Sequence, residues 1–206
     1  MRGIADIKVG YVCVGSSVGK VVILSTPSPD GEAIDLQQTI ETSASPITAL
    51  AASDTLLVCG NEAGDVFAFD VAAAFEQKCK IPGYNFPITA ICTRGETITA
   101  TFTSGHIRLY SARYGEMKVE VTAHLRCITA AALHSHLNLV ATVSDDQFLH
   151  VWHVPDLASR SQHDLELIYS DKVENRLLTG VAFLGEDQIG VTAFDEEDLI
   201  VFRGEK

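Results

Sequence analysis

His134 and His136 form an H-x-H pair, and His150 and His153 lie near Trp152. Imidazoles can hold zinc, but a site needs three or four ligands, and no third position follows from the sequence. No metal is expected. The run FDEEDL at 194–199 offers carboxylates to calcium, yet it lacks the spaced oxygen donors and the glycine of a known calcium loop. It reads as a solvated acidic turn. Asp164 and Glu166 lack any partner that would mark one as acid and the other as base. No glycine-rich phosphate loop occurs, so no cofactor is implied, and no nucleophile has an assignable base. The five cysteines are Cys13, Cys59, Cys79, Cys92 and Cys127. They are an odd, widely spaced set with no C-x-x-C pair, mostly inside apolar runs. Reduced, buried thiols of a cytoplasmic protein fit that pattern better than disulfides.

Bulk composition narrows the partner classes. A net charge of −12, with the 15 basic residues scattered, argues against nucleic acid, whose phosphates are held by clustered Lys and Arg. No apolar run is long enough to insert into a membrane, and the N-terminus MRGIADIKVG lacks a secretory core. At 47 % apolar residues over 206 positions, there is ample material for a packed core.

The elements that would position any site repeat. PITAL at 46–50 returns as PITAI at 87–91, CITAA at 127–131 and, blurred, LLTGV at 177–181. Each copy is followed by two short alternating runs rich in Val, Ile, Thr and aromatics. These are LLVCG and DVFAF at 56–69, TITATF and HIRLY at 97–110, LVATVS and FLHVW at 139–152, and QIGVTAF and LIVF at 188–202. Such runs read as antiparallel strands. A more polar fourth strand follows at 36–41, 76–81, 117–122 and 165–170, with one face wet. Bulky residues close the third strands at Leu24, Phe69, Tyr110, Trp152 and Phe202, spaced by 45, 41, 42 and 50 residues. Four-stranded sheets at that period are propeller blades. The expected class is all-β, a propeller of four to five four-stranded antiparallel blades within one domain, 1–206. The approximate blade limits are 1–45, 46–86, 87–124, 125–174 and 175–206. The first inner strand is expected to be short, and PDLASRSQHD at 155–164 to be an exposed loop.

The stretch AHLRCITAAALHSHLNLVATVSDDQFLHVW at 123–152 resembles a WD repeat. Matching that family's pattern residue by residue gives His124, Thr142, Asp146 and Trp152. The resemblance implies that Trp, Thr, His and Asp link by hydrogen bonds that brace the blade. A His–Asp–hydroxyl set could otherwise suggest nucleophilic catalysis, but the repeat accounts for all four residues. The third unit carries Tyr110 and Ser104 instead, and the other units hold Leu24, Phe69 and Phe202 at the Trp position. The strings GYVCVGSSVGKVVIL, KIPGYNFP, GHIRLYSARYGEMKVEVTAH and DDQFLHVWHV resemble, in order, the C-terminal part of one branch of longer WD-repeat proteins. That narrower resemblance implies an open C-terminal arc of a larger, seven-bladed ring, and a cytoplasmic adaptor.

The expected function is a non-catalytic scaffold that binds proteins or peptides through its loop face. The alternatives are a propeller hydrolase and a nucleic-acid-associated module. Candidate contacts are Tyr84 and Phe86 in the Pro-bracketed loop at 82–87, and Leu125 and Arg126 in the next such loop. Rigid aromatics and Arg suit interface hot spots, although either aromatic could equally pack against a blade edge. Glu62, Asp145 and Asp195, with Glu196 and Glu197, make the same face acidic, so a basic partner is expected. Open blade faces would also favour self-association.

Overall fold

A computed structural model describes residues 3–7, 10–26, 34–157 and 164–204. Part of the long insertion, 158–163, lies outside them. The described residues form nineteen strands and no helix. The first sheet holds β1 (Ile4–Ile7), β2 (Tyr11–Gly15), β3 (Lys20–Ser25) and β4 (Leu36–Glu41). The second holds β5 (Ile47–Ala52), β6 (Leu56–Asn61), β7 (Val66–Asp70) and β8 (Glu76–Ile81). In the third are β9 (Ile88–Arg94), β10 (Thr97–Phe102), β11 (His106–Ser111) and β12 (Glu116–Thr122). The fourth comprises β13 (Ile128–Leu133), β14 (Leu139–Ser144), β15 (Phe148–His153) and β16 (Glu166–Lys172). β17 (Leu178–Phe183), β18 (Gln188–Ala193) and β19 (Ile200–Arg203) form the last, three-stranded sheet. Each sheet is an antiparallel meander, and inner strands β1, β5, β9, β13 and β17 pack side by side in that order. This is an open propeller arc.

β1 has only four residues, yet all four pair with β2, so the first sheet is complete despite its short inner strand. Among the described residues, nothing is hydrogen-bonded to the outer edge of β19.

The sequence repeat is a register repeat. Leu24, Phe69, Tyr110, Trp152 and Phe202 stand opposite Val12, Leu57, Ile98, Val140 and Ile189, each the second residue of its second strand. In the four complete sheets the pairing of third with fourth strand shifts immediately before the bulky residue. A second irregularity falls at the threonine of the inner phrase, between Ile47 and Ala49, Ile128 and Ala130, and Leu178 and Gly180. A bulge leaves one residue unpaired and bends the strand. The residue left out of the pairing is Thr48, Thr129 or Thr179, and likewise Thr89 between Ile88 and Ala90; the Thr129 hydroxyl reaches Val143 O and Leu178 O.

Apolar clusters fill the spaces between successive sheets. Strand β6 is buried throughout, with Leu57 and Cys59 facing the first sheet and Leu56 and Val58 facing the third. Burial on both faces explains why LLVCG reads as a continuous apolar run. Phe67 and Phe69 are almost fully enclosed, and each such ring contributes about 1.5–3 kcal/mol of transfer free energy.

Candidate partner-binding rim and the side chains beneath it

The loops entering each inner strand and the turns between second and third strands meet at one end of the arc, where backbone hydrogen bonds stitch them together. Thr42 N donates to Gly19 O and Glu62 N to Pro46 O; Asn85 N donates to Ala63 O and Thr103 N to Pro87 O. The belt continues with Ala123 N to Gly105 O, Asp145 N to Cys127 O, Val173 N to Gln147 O and Phe194 N to Leu177 O. Loop and turn alternate along the whole arc, so the rim is held by main chain. Gly105 shows how close the approach is. Its φ is +81°, and a Cβ there would lie 2.3 Å from His124 O.

Beneath the rim of the fourth sheet the four WD-pattern side chains form one chain of hydrogen bonds. Trp152 Nε1 donates to Thr142 Oγ1 at 3.0 Å, and Thr142 Oγ1 lies 2.9 Å from His124 Nε2. His124 Nδ1 is 3.1 Å from both carboxylate oxygens of Asp146, which also accepts the Leu125 and Phe148 amides. The consistent assignment is a neutral ring, with Thr142 donating to Nε2 and Nδ1–H donating to Asp146. Burial holds the His124 pKa down to about 4, and the adjacent His150 ring, stacked at 4.3 Å, adds to the effect against the pull of Asp146. Burial alone would raise the Asp146 carboxyl; the Leu125 and Phe148 amides and the His124 ring more than offset it, leaving it below its ordinary value. At neutral pH the pair is therefore a hydrogen bond between a neutral imidazole and a carboxylate.

The third sheet solves the same problem with other residues. Tyr84 stands four residues before Ile88, as His124 stands four before Ile128, and its ring stacks on Arg108 as His124 stacks on His150. The Arg108 guanidinium lies 4.5 Å from the centroids of both Tyr84 and Phe102. It is buried, and Nε donates to Glu120. In the second sheet the equivalent place belongs to Ser43, which accepts from Asn61 Nδ2, while Asn61 also donates to Asp65. Sequence reasoning missed Arg108 and Asn61. The common offset from the inner Ile was the signal that could have found their partners.

The remaining candidates divide. Tyr84 is 57 % exposed despite its stacking, and Phe86 is also exposed. Leu125 projects at 90 % exposure, with Arg126 exposed beside it. Glu62 and Asp195 are exposed, whereas Asp145 is half-buried. Glu196 pairs with Arg176, and Glu197 is exposed. The rim also carries exposed Val18, Leu177, Phe194 and Leu199, which sequence reasoning did not select because single apolar residues in turns carry no periodic signal. His134 is buried, and its Nδ1 accepts the His136 and Leu137 amides. No group of three His, Cys, Asp or Glu side chains converges for a metal among the described residues. On the axis, a cavity of about 630 Å³ is lined by Thr48, Thr89, Thr129 and Thr179 among others. Their hydroxyls are engaged: Thr129 Oγ1 with Leu178 O at 2.7 Å, Thr89 with Thr101, and Thr179 with Thr192.

Comparison with known proteins places this architecture. The model of the WDR54 family matches residues 1–203. WD repeat-containing protein 54 of Mus musculus is 24% identical over 212 residues, covering 98% of this chain and 62% of its own length. The Homo sapiens protein of the same name is 25% identical over 194 residues, covering 90% of this chain and 58% of its own. The chain thus spans about three fifths of these relatives. Among solved structures, the Myceliophteria_thermophila Cps50 (Swd1) beta-propeller domain superposes with a TM-score of 0.80 at 15% identity, over 98% of this chain and 69% of that one. A chain of the Mitotic Checkpoint Complex gives 0.77 at 18% identity, over 95% and 58%. The computationally designed Ika4 protein gives 0.65 at 21% identity, over 81% and 96%.

Proposed function

The chain belongs to the WDR54 family, and from that premise we propose that it is a non-catalytic scaffold that holds partner proteins or peptides on its loop rim. The observation that carries the reading is the stitched rim itself. Apolar and charged side chains project from a backbone belt that is already ordered, so little conformational freedom remains to be lost when a partner docks. The one His–hydroxyl–carboxylate set that the sequence offers for chemistry is turned inward. His124, Thr142 and Asp146 spend their hydrogen-bonding capacity on one another, on Trp152 and on rim amides, and the axial threonines spend theirs on neighbouring strands. A hydrolase would need at least one such group free to meet substrate.

The excess of acid over base disfavours nucleic acid and favours a basic partner. The thiols of Cys13, Cys59, Cys79 and Cys92, outside any disulfide, fit a cytoplasmic location. The free edge of β19 and the exposed Leu167, Ile168 and Tyr169 of β16 support self-association as a second reading. Light scattering that returns a single-chain mass at high concentration would exclude it.

The test is affinity capture from the native cell, comparing the intact protein with a Phe86→Ala, Leu125→Ala, Arg126→Ala variant. All three side chains are exposed, so the variant should stay folded. Loss of a captured protein supports the scaffold. An unchanged set of captured proteins removes the rim as the binding surface.

A further inference from the structure

Resting on the scaffold reading, we propose that the rim of the fourth and fifth sheets docks a segment of a partner protein in which apolar side chains are interleaved with lysine or arginine. Three rim segments supply the apolar part. Leu125 comes from the loop before β13, Leu177 from the loop before β17, and Phe194 and Leu199 from the turn before β19; Leu125 and Phe194 are 90% and 68% exposed. The segments are joined by backbone bonds from Asp145 to Cys127, Val173 to Gln147 and Phe194 to Leu177, and by the Arg176–Glu196 ion pair. Isolated exposed apolar residues need no explanation, but several on one ordered patch mark an interaction surface.

The turn before β19 supplies most of the negative charge and the turn before β15 adds Asp145, against the exposed cation Arg126 beside Leu125. Asp195 directly follows Phe194, and Asp198 directly precedes Leu199, with Glu197 between them. Neither these three nor Asp145 has an ion-pair partner among the described residues, and Arg176 is committed to Glu196. Three carboxylates outside any ion pair among the described residues therefore lie between the exposed apolar Phe194 and Leu199 in one turn, and a ligand with both chemistries in close sequence meets them together. A second copy of this chain would bring another net −12 against the turn, and an anionic membrane or nucleic acid would be repelled. The rim of the second and third sheets is a poorer candidate, because Tyr84 is occupied with Arg108.

The test is fluorescence anisotropy with the full-length protein and three short labelled peptides that alternate Lys with Leu, Lys with Ser, and Glu with Leu. Two variants accompany the wild type: Leu177→Ser with Phe194→Ser, and Asp195→Asn with Glu197→Gln and Asp198→Asn. The Lys–Leu peptide is expected to bind best, and to weaken roughly tenfold in either variant, the usual scale for a hot spot. Its binding should also weaken as salt rises from about 0.1 to about 0.5 M. Equal binding by the Lys–Ser peptide overturns the apolar half of the proposal. Unchanged binding in both variants overturns the surface. If the Lys–Leu peptide does not bind while affinity capture still finds a rim-dependent partner, this inference fails and the scaffold reading stands.

Discussion

Replacing Thr142 by valine should remove the centre of the buried chain while keeping its volume. The hydroxyl is fully enclosed, accepts from Trp152 Nε1 at 3.0 Å and lies 2.9 Å from His124 Nε2. Valine leaves both nitrogens buried without a partner. Each orphaned group costs about 1–3 kcal/mol, so the expected loss, after some relaxation, is about 2–4 kcal/mol. That is a large share of the roughly 5–15 kcal/mol by which domains are stable. The assay is urea unfolding followed by circular dichroism and by the single tryptophan, Trp152. The pH dependence gives a second readout. In the folded protein His124 titrates near 4, whereas an unfolded histidine titrates near about 6.5. Between those values the unfolded state binds more protons, so stability is full above the higher value and is lost as pH falls toward the lower. Burial is the main cause of the low His124 value and persists in the variant, so both proteins should lose stability as pH falls from about 6.5 toward about 4. A loss below about 0.5 kcal/mol at pH 7, at the floor of a single hydrogen bond, or a wild type whose stability rises as pH falls through that window, would contradict this geometry.

Three further outcomes follow from the same geometry. Gly105→Ala should destabilise by more than about 1 kcal/mol in denaturant unfolding, because a positive φ and a close carbonyl oppose the methyl; a neutral result would contradict the tight stacking of loop on turn. Arg108→Lys should cost about 1–2 kcal/mol, since an ammonium cannot lie flat between Tyr84 and Phe102 while donating to Glu120; thermal unfolding checks this, and an unchanged midpoint would show the stack to be idle. Burial pushes the Cys59 and Cys92 thiols up to about 12 and Cys13 up to about 11. A thiol reagent at neutral pH should therefore modify the half-buried Cys79 and Cys127 first and reach all five only on unfolding.

The legible and illegible parts of the sequence separate by physical cause. Strands repeat because each blade meets the same two-sided packing requirement, so LLVCG, TITATF and LVATVS fall on β6, β10 and β14 almost residue for residue. The hydrogen-bonded chain was legible in the fourth sheet alone, where His124, Thr142, Asp146 and Trp152 all keep their types. In the third sheet the place of His124 passes to Tyr84 and its stacking partner becomes Arg108, a change of chemistry that no pattern of types reveals. The bulge at the inner threonine was invisible because a bulge changes pairing and leaves composition untouched. The apolar rim residues Leu177 and Phe194 lie in turns, where position is set by the backbone belt and not by any period.

The rim, and not the outer strands, is the surface proposed to meet the partner. Amide hydrogen exchange on the full-length protein, free and with a protein captured from the native cell, tests it most directly. New protection is expected in the loops at 82–87, 123–127 and 173–177 and in the turn at 194–199, with β4, β8, β12 and β16 unchanged. Protection confined to those outer strands, with the rim loops exchanging as before, would contradict it.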